Sequence, residues 1–107
     1  MRTPVLLAAA VFFLSTTAAV HAKDVVVSQK DKKFSATALK VKIGDTVSFK
    51  NEDPFFHNIF SLSDAQTFDL GSFPKGQSKT VTFTKEGKVE VECAIHPEMK
   101  LVIDVAK

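Results

Sequence analysis

From Leu39 onward the sequence alternates apolar and polar residues in short runs, and that period of two commits the chain to strands. Leu39, Val41 and Ile43 alternate with Lys40 and Lys42, and Val47 and Phe49 with Thr46, Ser48 and Lys50. Val81 and Phe83 stand among Thr80, Thr82 and Thr84. Val89, Val91 and Cys93 alternate with Lys88, Glu90 and Glu92, and Leu101, Ile103 and Val105 with Val102 and Asp104. Side chains in a strand point to opposite faces in turn, so each run has one dry face and one wet face. No segment sustains a 3.6-residue period over three turns, which leaves an all-β fold.

The breaks between runs carry turn chemistry. Gly44-Asp45 separates the first two runs and predicts a hairpin between them. Asn51-Glu52-Asp53-Pro54 is a loop, because Pro cannot donate to a ladder. His57-Asn58-Ile59-Phe60 resumes an extended run. Residues 61–66 read as a loop or as one helical turn capped by Ser63. Phe68 and Leu70 lead into a turn zone with Gly71, Pro74 and Gly76, and Glu86-Gly87 turns the chain again. Several short strands spaced in this way make a sandwich or barrel.

The first segment is read as an address, outside the fold. Arg2 gives a positive start, residues 5–14 are an apolar run, and Val20-His21-Ala22 has the small-residue form of a cleavage site. That is the layout of a secretory signal peptide, and the run is too short to anchor the chain stably in a membrane. The expected division is a signal peptide at 1–22 and one domain at 23–107, exported to the periplasm. After residue 22 the chain carries 13 Lys, no Arg and 12 acidic residues. A scattered, nearly balanced charge of this kind excludes a nucleic-acid surface, which would show a basic stripe.

The same segment keeps eight Phe and no Trp or Tyr. Alternation puts Phe49 and Phe83 in the core, with Phe34 and Phe60 expected there too. Each contributes roughly 2–3 kcal/mol on burial. Phe55 and Phe56 beside Pro54 form a candidate apolar patch, with at least one of them expected in the core. Glu90 and Glu92 read as a solvated pair, and Lys30, Lys32 and Lys33 as a solvated turn.

One cysteine remains to be explained. Small secreted domains commonly rely on disulfides, and a single Cys cannot form one within the chain. A lone thiol in an oxidising compartment is a liability unless it is buried, paired between chains or bound to a metal. After the leader, the remaining soft and borderline ligands are Cys93, Met99, His57 and His96. Three of them lie within seven residues, Cys93-Ala94-Ile95-His96-Pro97-Glu98-Met99. Cys93 ends a strand facing inward, and Pro97 helps fix the turn that follows. A loop with ligands at i, i+3 and i+6 can bring all three to one centre, and His57 on a second loop can complete a His₂Cys set with Met99 as a long axial contact. That is the donor set of blue-copper electron transfer. A Cys₁His₂ site could also hold zinc, but no carboxylate has a claim as general base and Glu98 is the only acid in the ligand loop. A cysteine nucleophile would leave both His unexplained. The chain is therefore not expected to be an enzyme.

The segment from Val91 to Met99, with His57-Asn58 and Val41-x-Ile43-Gly44-Asp45-Thr46-Val47-x-Phe49-x-Asn51 upstream, resembles the cupredoxins. The short C-x-x-H-x-x-M loop is most similar to amicyanin and pseudoazurin, as opposed to the longer loops of plastocyanins. The resemblance implies a Greek-key β-sandwich and one copper ion cycling between Cu(I) and Cu(II), bound by His57, Cys93, His96 and Met99 with both imidazoles using Nδ1. It implies that Asn58 ties the ligand loops together, and that electrons pass through the exposed edge of His96. Redox proteins such as a cytochrome, dehydrogenase or oxidase would dock there on a monomeric carrier. Two departures stand out. Glu92 replaces the aromatic residue that many relatives carry before the cysteine, which removes the basis for a second electron route. The stretch between His57 and Cys93 is also shorter. The expected function is periplasmic one-electron transfer; the alternative is copper delivery, storage or tolerance, against which stands the lack of an additional Met- or His-rich stretch.

Overall fold

The computed structural model describes residues 22–107, in which strands are the only regular elements. The expected leader and its cleavage site fall at or before the edge of the described residues. Nine strands follow one another: β1 (Asp24–Lys30), β2 (Lys33–Phe34), β3 (Ala38–Lys42), β4 (Thr46–Asn51), β5 (His57–Ser61), β6 (Phe68–Phe73), β7 (Ser78–Thr82), β8 (Gly87–Cys93) and β9 (Lys100–Ala106). They form two sheets, one in the order β2-β1-β4-β7 and the other β3-β9-β8-β5-β6. Packed face to face, these make the sandwich that the alternation predicts.

The core is the sum of the dry faces. Val27, Val47, Phe49 and Val81 come from the first sheet; Val41, Ile59, Phe73, Val89, Val91, Leu101, Ile103 and Val105 come from the second. Phe34 packs edge-on against Phe49 with centroids 6.3 Å apart. Phe83, just past β7, is fully buried. Phe60 departs from expectation and is only half-buried. The inward positions of β5 are His57, Ile59 and Ser61, so parity sends Phe60 to the outer face.

The expected hairpin around Gly44-Asp45 does not form. β3 runs parallel to β9, pairing Leu39 with Ile103, while β4 lies between parallel β1 and antiparallel β7. The two strands therefore belong to opposite sheets. The turn is built to cross over. The Asp45 carboxylate accepts from the Lys23 amide at 2.9 Å and the Lys42 amide at 2.8 Å. The Gly44 amide donates to the Phe83 carbonyl and the Ile43 amide to Ala106, both at 2.8 Å. Groups that would begin a hairpin ladder are thus spent on other strands, and Ile43 is left 42% exposed at the corner. Backbone hydrogen bonds to Lys23 and Lys42 hold the Asp45 carboxyl below its ordinary value of 3.8.

Ser61 ends β5, and residues 62–66 form a loop with a turn in which the Gln66 amide donates to the Ser63 carbonyl; no helical turn forms. Beyond it the chain does not break at Leu70 but continues as β6 to Phe73. The β5–β6 register slips by one between Asn58 and Phe60. Gly71 sits near the slip with φ +70°, a left-handed conformation that glycine adopts without steric cost. The bulge sets buried Phe73 opposite His57.

Candidate metal centre

The centre lies at one end of the sandwich, where β5 begins and β8 ends. Cys93 is the last residue of β8 and continues the inward parity of Val89 and Val91. It pairs with Ile59 across to β5, so His57, two residues back on the same inward face, lies just beyond the thiol. The Ala94 amide donates to the Asn58 carbonyl at 2.9 Å and ties the start of the ligand loop to β5. This tie runs through the Asn58 main chain.

The loop after Cys93 is closed by a turn. The Met99 amide donates to the His96 carbonyl at 3.0 Å, with Pro97 and Glu98 as the central residues. Pro suits the first of those positions because its φ is already set. The turn folds His96 back toward Cys93 and delivers Met99, 1% exposed, into the core just before β9.

Three donor atoms converge. The Cys93 sulfur lies 3.6 Å from His57 Nδ1 and 3.7 Å from His96 Nδ1, and all three ligand atoms are within 4.8 Å of one another. The imidazole centroids are 5.1 Å apart. His57 is fully buried, Cys93 is 2% exposed, and His96 is half-buried, so only one imidazole reaches toward solvent.

Three further residues shape the centre, and of these the sequence singled out only Phe55, as part of a candidate apolar patch beside Pro54. Phe55 packs against both imidazoles, its ring centroid 5.4 Å from that of His57 and 5.2 Å from that of His96. It is half-buried while Phe56 is 54% exposed. Asn51, wholly buried, donates from Nδ2 to the carbonyls of Phe55 at 2.8 Å and Phe73 at 2.9 Å, and its Oδ1 accepts from the Asp53 amide. Asp53, 2% exposed, receives a hydrogen bond from His57 Nε2 at 2.7 Å. Burial raises the Asp53 carboxyl, but the hydrogen bonds from His57 and from the Lys32 and Asp31 amides outweigh it and hold the pKa below 3.8. An ionised carboxylate only accepts, so Nε2 carries a proton, and in the neutral imidazole the lone pair is then on Nδ1, facing the thiol. The only trace of Asp53 in the sequence is an acid four residues before His57.

Residues 4–103 match the family model of the cupredoxin-like domain. The chain belongs to the cupredoxins. It is similar to the methylamine utilization protein MauL of Methylorubrum extorquens, with 36% identity over 69 residues covering 64% of this chain and 60% of that protein. It is also similar to amicyanin of Paracoccus denitrificans, with 31% identity over 79 residues covering 71% of this chain and 60% of that one. The chain thus spans about 60% of the length of both relatives. Among solved structures, a Cu(I) form of an amicyanin variant superposes with a TM-score of 0.71 at 27% identity, covering 77% of this chain and 81% of that one.

The cofactor of such a cupredoxin is one copper ion, and the donor set fits it. A thiol and two imidazole nitrogens within 4.8 Å of one another leave room for a single ion. Their mixed hardness suits a metal that must be stable in two oxidation states.

Proposed function

We propose that this cupredoxin is a periplasmic one-electron carrier in which His57, Cys93, His96 and Met99 hold a type I copper. The observation that carries the reading is the convergence of one thiol and two Nδ1 atoms, with one imidazole fully buried and the other half-buried. When bound, copper supplies a Cu(II)/Cu(I) couple. The protein's part is to hold the donors in an arrangement that both states accept, so that little reorganises with each transfer.

Each residue has its own part. Cys93 supplies a thiolate, stabilised by the metal it binds. His57 and His96 supply neutral imidazole nitrogens, and buried Met99 offers a soft thioether that favours Cu(I). Asn58 joins the two ligand segments through its link to Ala94. His96 is the exit: its partly exposed ring is the route by which an electron reaches a redox protein docked over that end. Phe55 screens the imidazoles from water, and exposed Phe56 and Ile95 offer that partner an apolar contact. Solved amicyanin structures include oxidized and Cu(I) forms, which supports redox cycling on this scaffold.

The test begins with the visible spectrum of the Cu(II)-loaded protein. An intense thiolate-to-copper band that disappears in Cys93→Ser is expected; its absence, or its survival in that variant, overturns the copper reading. Repeated reduction and oxidation beside a competing chelator then separates the roles. Retention of copper through the cycles supports electron transfer, and loss on each reduction turns the reading to copper delivery.

A further inference from the structure

The Asp53 carboxylate does more than close a loop. Removing a carboxylate from water costs several kcal/mol unless every lone pair is well used, and here three donors surround it. Oδ1 accepts from the Asp31 amide at 2.6 Å; Oδ2 accepts from the Lys32 amide at 3.1 Å and from His57 Nε2 at 2.7 Å. Two of these donors belong to the turn between β1 and β2, far away in sequence.

That turn is unusual for its residues. β1 and β2 pair Lys30 with Lys33 across a two-residue loop, and both loop residues have positive φ, 55° at Asp31 and 60° at Lys32. This is the geometry of a type I′ turn, which normally calls for Asn or Gly. A lysine in the left-handed region is disfavoured by sterics. The β2 strand is only two residues long, so its ladder contributes little toward holding the turn. The compensation on hand is Asp53, which takes up both turn amides. The conformation that costs the turn its strain is also the one that aims two successive N–H groups at a single carboxylate.

On the reading of the centre as type I copper, we propose that Asp53 is a positioning residue. Held by the Asp31–Lys32 turn, it locks His57 with Nδ1 toward the copper and lowers the reduction potential. The lock follows from the tautomer, since a proton held on Nε2 by a carboxylate leaves Nδ1 as the lone-pair donor. The potential follows from charge. A buried anion one imidazole away from the metal makes that imidazole more basic and favours Cu(II) over Cu(I).

The test compares the copper-loaded wild-type protein with Asp53→Asn, and with Glu52→Gln as a control that removes one exposed charge next door. The wild-type thiolate-to-copper band is recorded first; without it the copper reading itself fails, and the potentials are not needed. With the band present, Asp53→Asn is expected to raise the Cu(I)/Cu(II) affinity ratio at least tenfold, about 59 mV upward for one electron. Glu52→Gln should shift it far less. An unchanged potential in Asp53→Asn, or an equal shift in both variants, overturns the proposal while leaving the copper reading intact. Should Asp53→Asn not fold, proton NMR of the wild-type Cu(I) form decides. A slowly exchanging His57 Nε2 proton, coupled through space to the Asp31 and Lys32 amides, is expected, and a rapidly exchanging one overturns the proposal.

Discussion

Ile59 and Cys93 stand opposite each other on antiparallel β5 and β8, both inside the sandwich. This pair sets the register that puts His57 beside the thiol. A slip of one residue would turn every inward side chain of β5 to solvent. Ile59→Ala should therefore destabilise the protein by about 2–5 kcal/mol, through lost burial and a cavity behind the ligand. Urea unfolding measures it, and a loss below about 0.5 kcal/mol would contradict the packing.

Met99 is expected to tune the copper. Its thioether is the softest donor available after the thiolate, so replacing it by the amide oxygen of Met99→Gln should favour Cu(II). The thiolate-to-copper band should persist, and the potential should fall by at least the ~59 mV of a tenfold change in affinity ratio. Voltammetry and the visible spectrum check this together. A potential that stays put would remove Met99 from the ligand set.

Asn51 is expected to be the strut of the His57 loop. Its wholly buried side chain donates to Phe55 and Phe73 and accepts from Asp53. Asn51→Ala leaves those groups without partners and should cost about 3 kcal/mol. Amide exchange at Asp53 should accelerate well beyond that of distant β9. Uniform acceleration across both would point to a global effect only.

Asp45 should give the protein an acid limit at the opposite end from the metal. Its carboxyl is lowered in the fold by the Lys23 and Lys42 amides. A depressed folded-state pKa means that its stabilisation is present above the unfolded value near 3.8 and is lost as pH falls through the folded value. Asp45→Asn should be less stable at neutral pH and show a shallower decline between about pH 5 and pH 2. Denaturation curves across that window decide, and parallel declines in both proteins would refute the assignment. Asp53 titrates in the same direction, so some slope should survive in the variant.

Much of the centre was legible because its chemistry is compressed. Cys93, His96 and Met99 lie within one short loop, and the inward parity of Val89, Val91 and Cys93 could be read directly. His57 was recoverable because it was the only other histidine after residue 22. Asp53 and Asn51 were not, since buried polar residues in a Pro-containing loop look the same as solvated ones. Their roles come from the amide donors of the β1–β2 turn and the Phe73 carbonyl acceptor on β6, which nothing local announces.

By itself, then, the sequence determined the strands, their dry faces and the candidate donors, because side-chain parity and ligand chemistry are properties of neighbouring residues. Only the tertiary structure decided which strands pair. Val41 and Val47 alternate with polar neighbours in the same way, yet the hydrogen bonds of Gly44 and Asp45 send their strands to opposite sheets. Parity within β5 turned Phe60 outward despite its apolar character. The same long-range pairing brought the Asp31–Lys32 turn to the Asp53 carboxylate and so to His57. Alternation tells which way a side chain points; what it meets there depends on residues far along the chain.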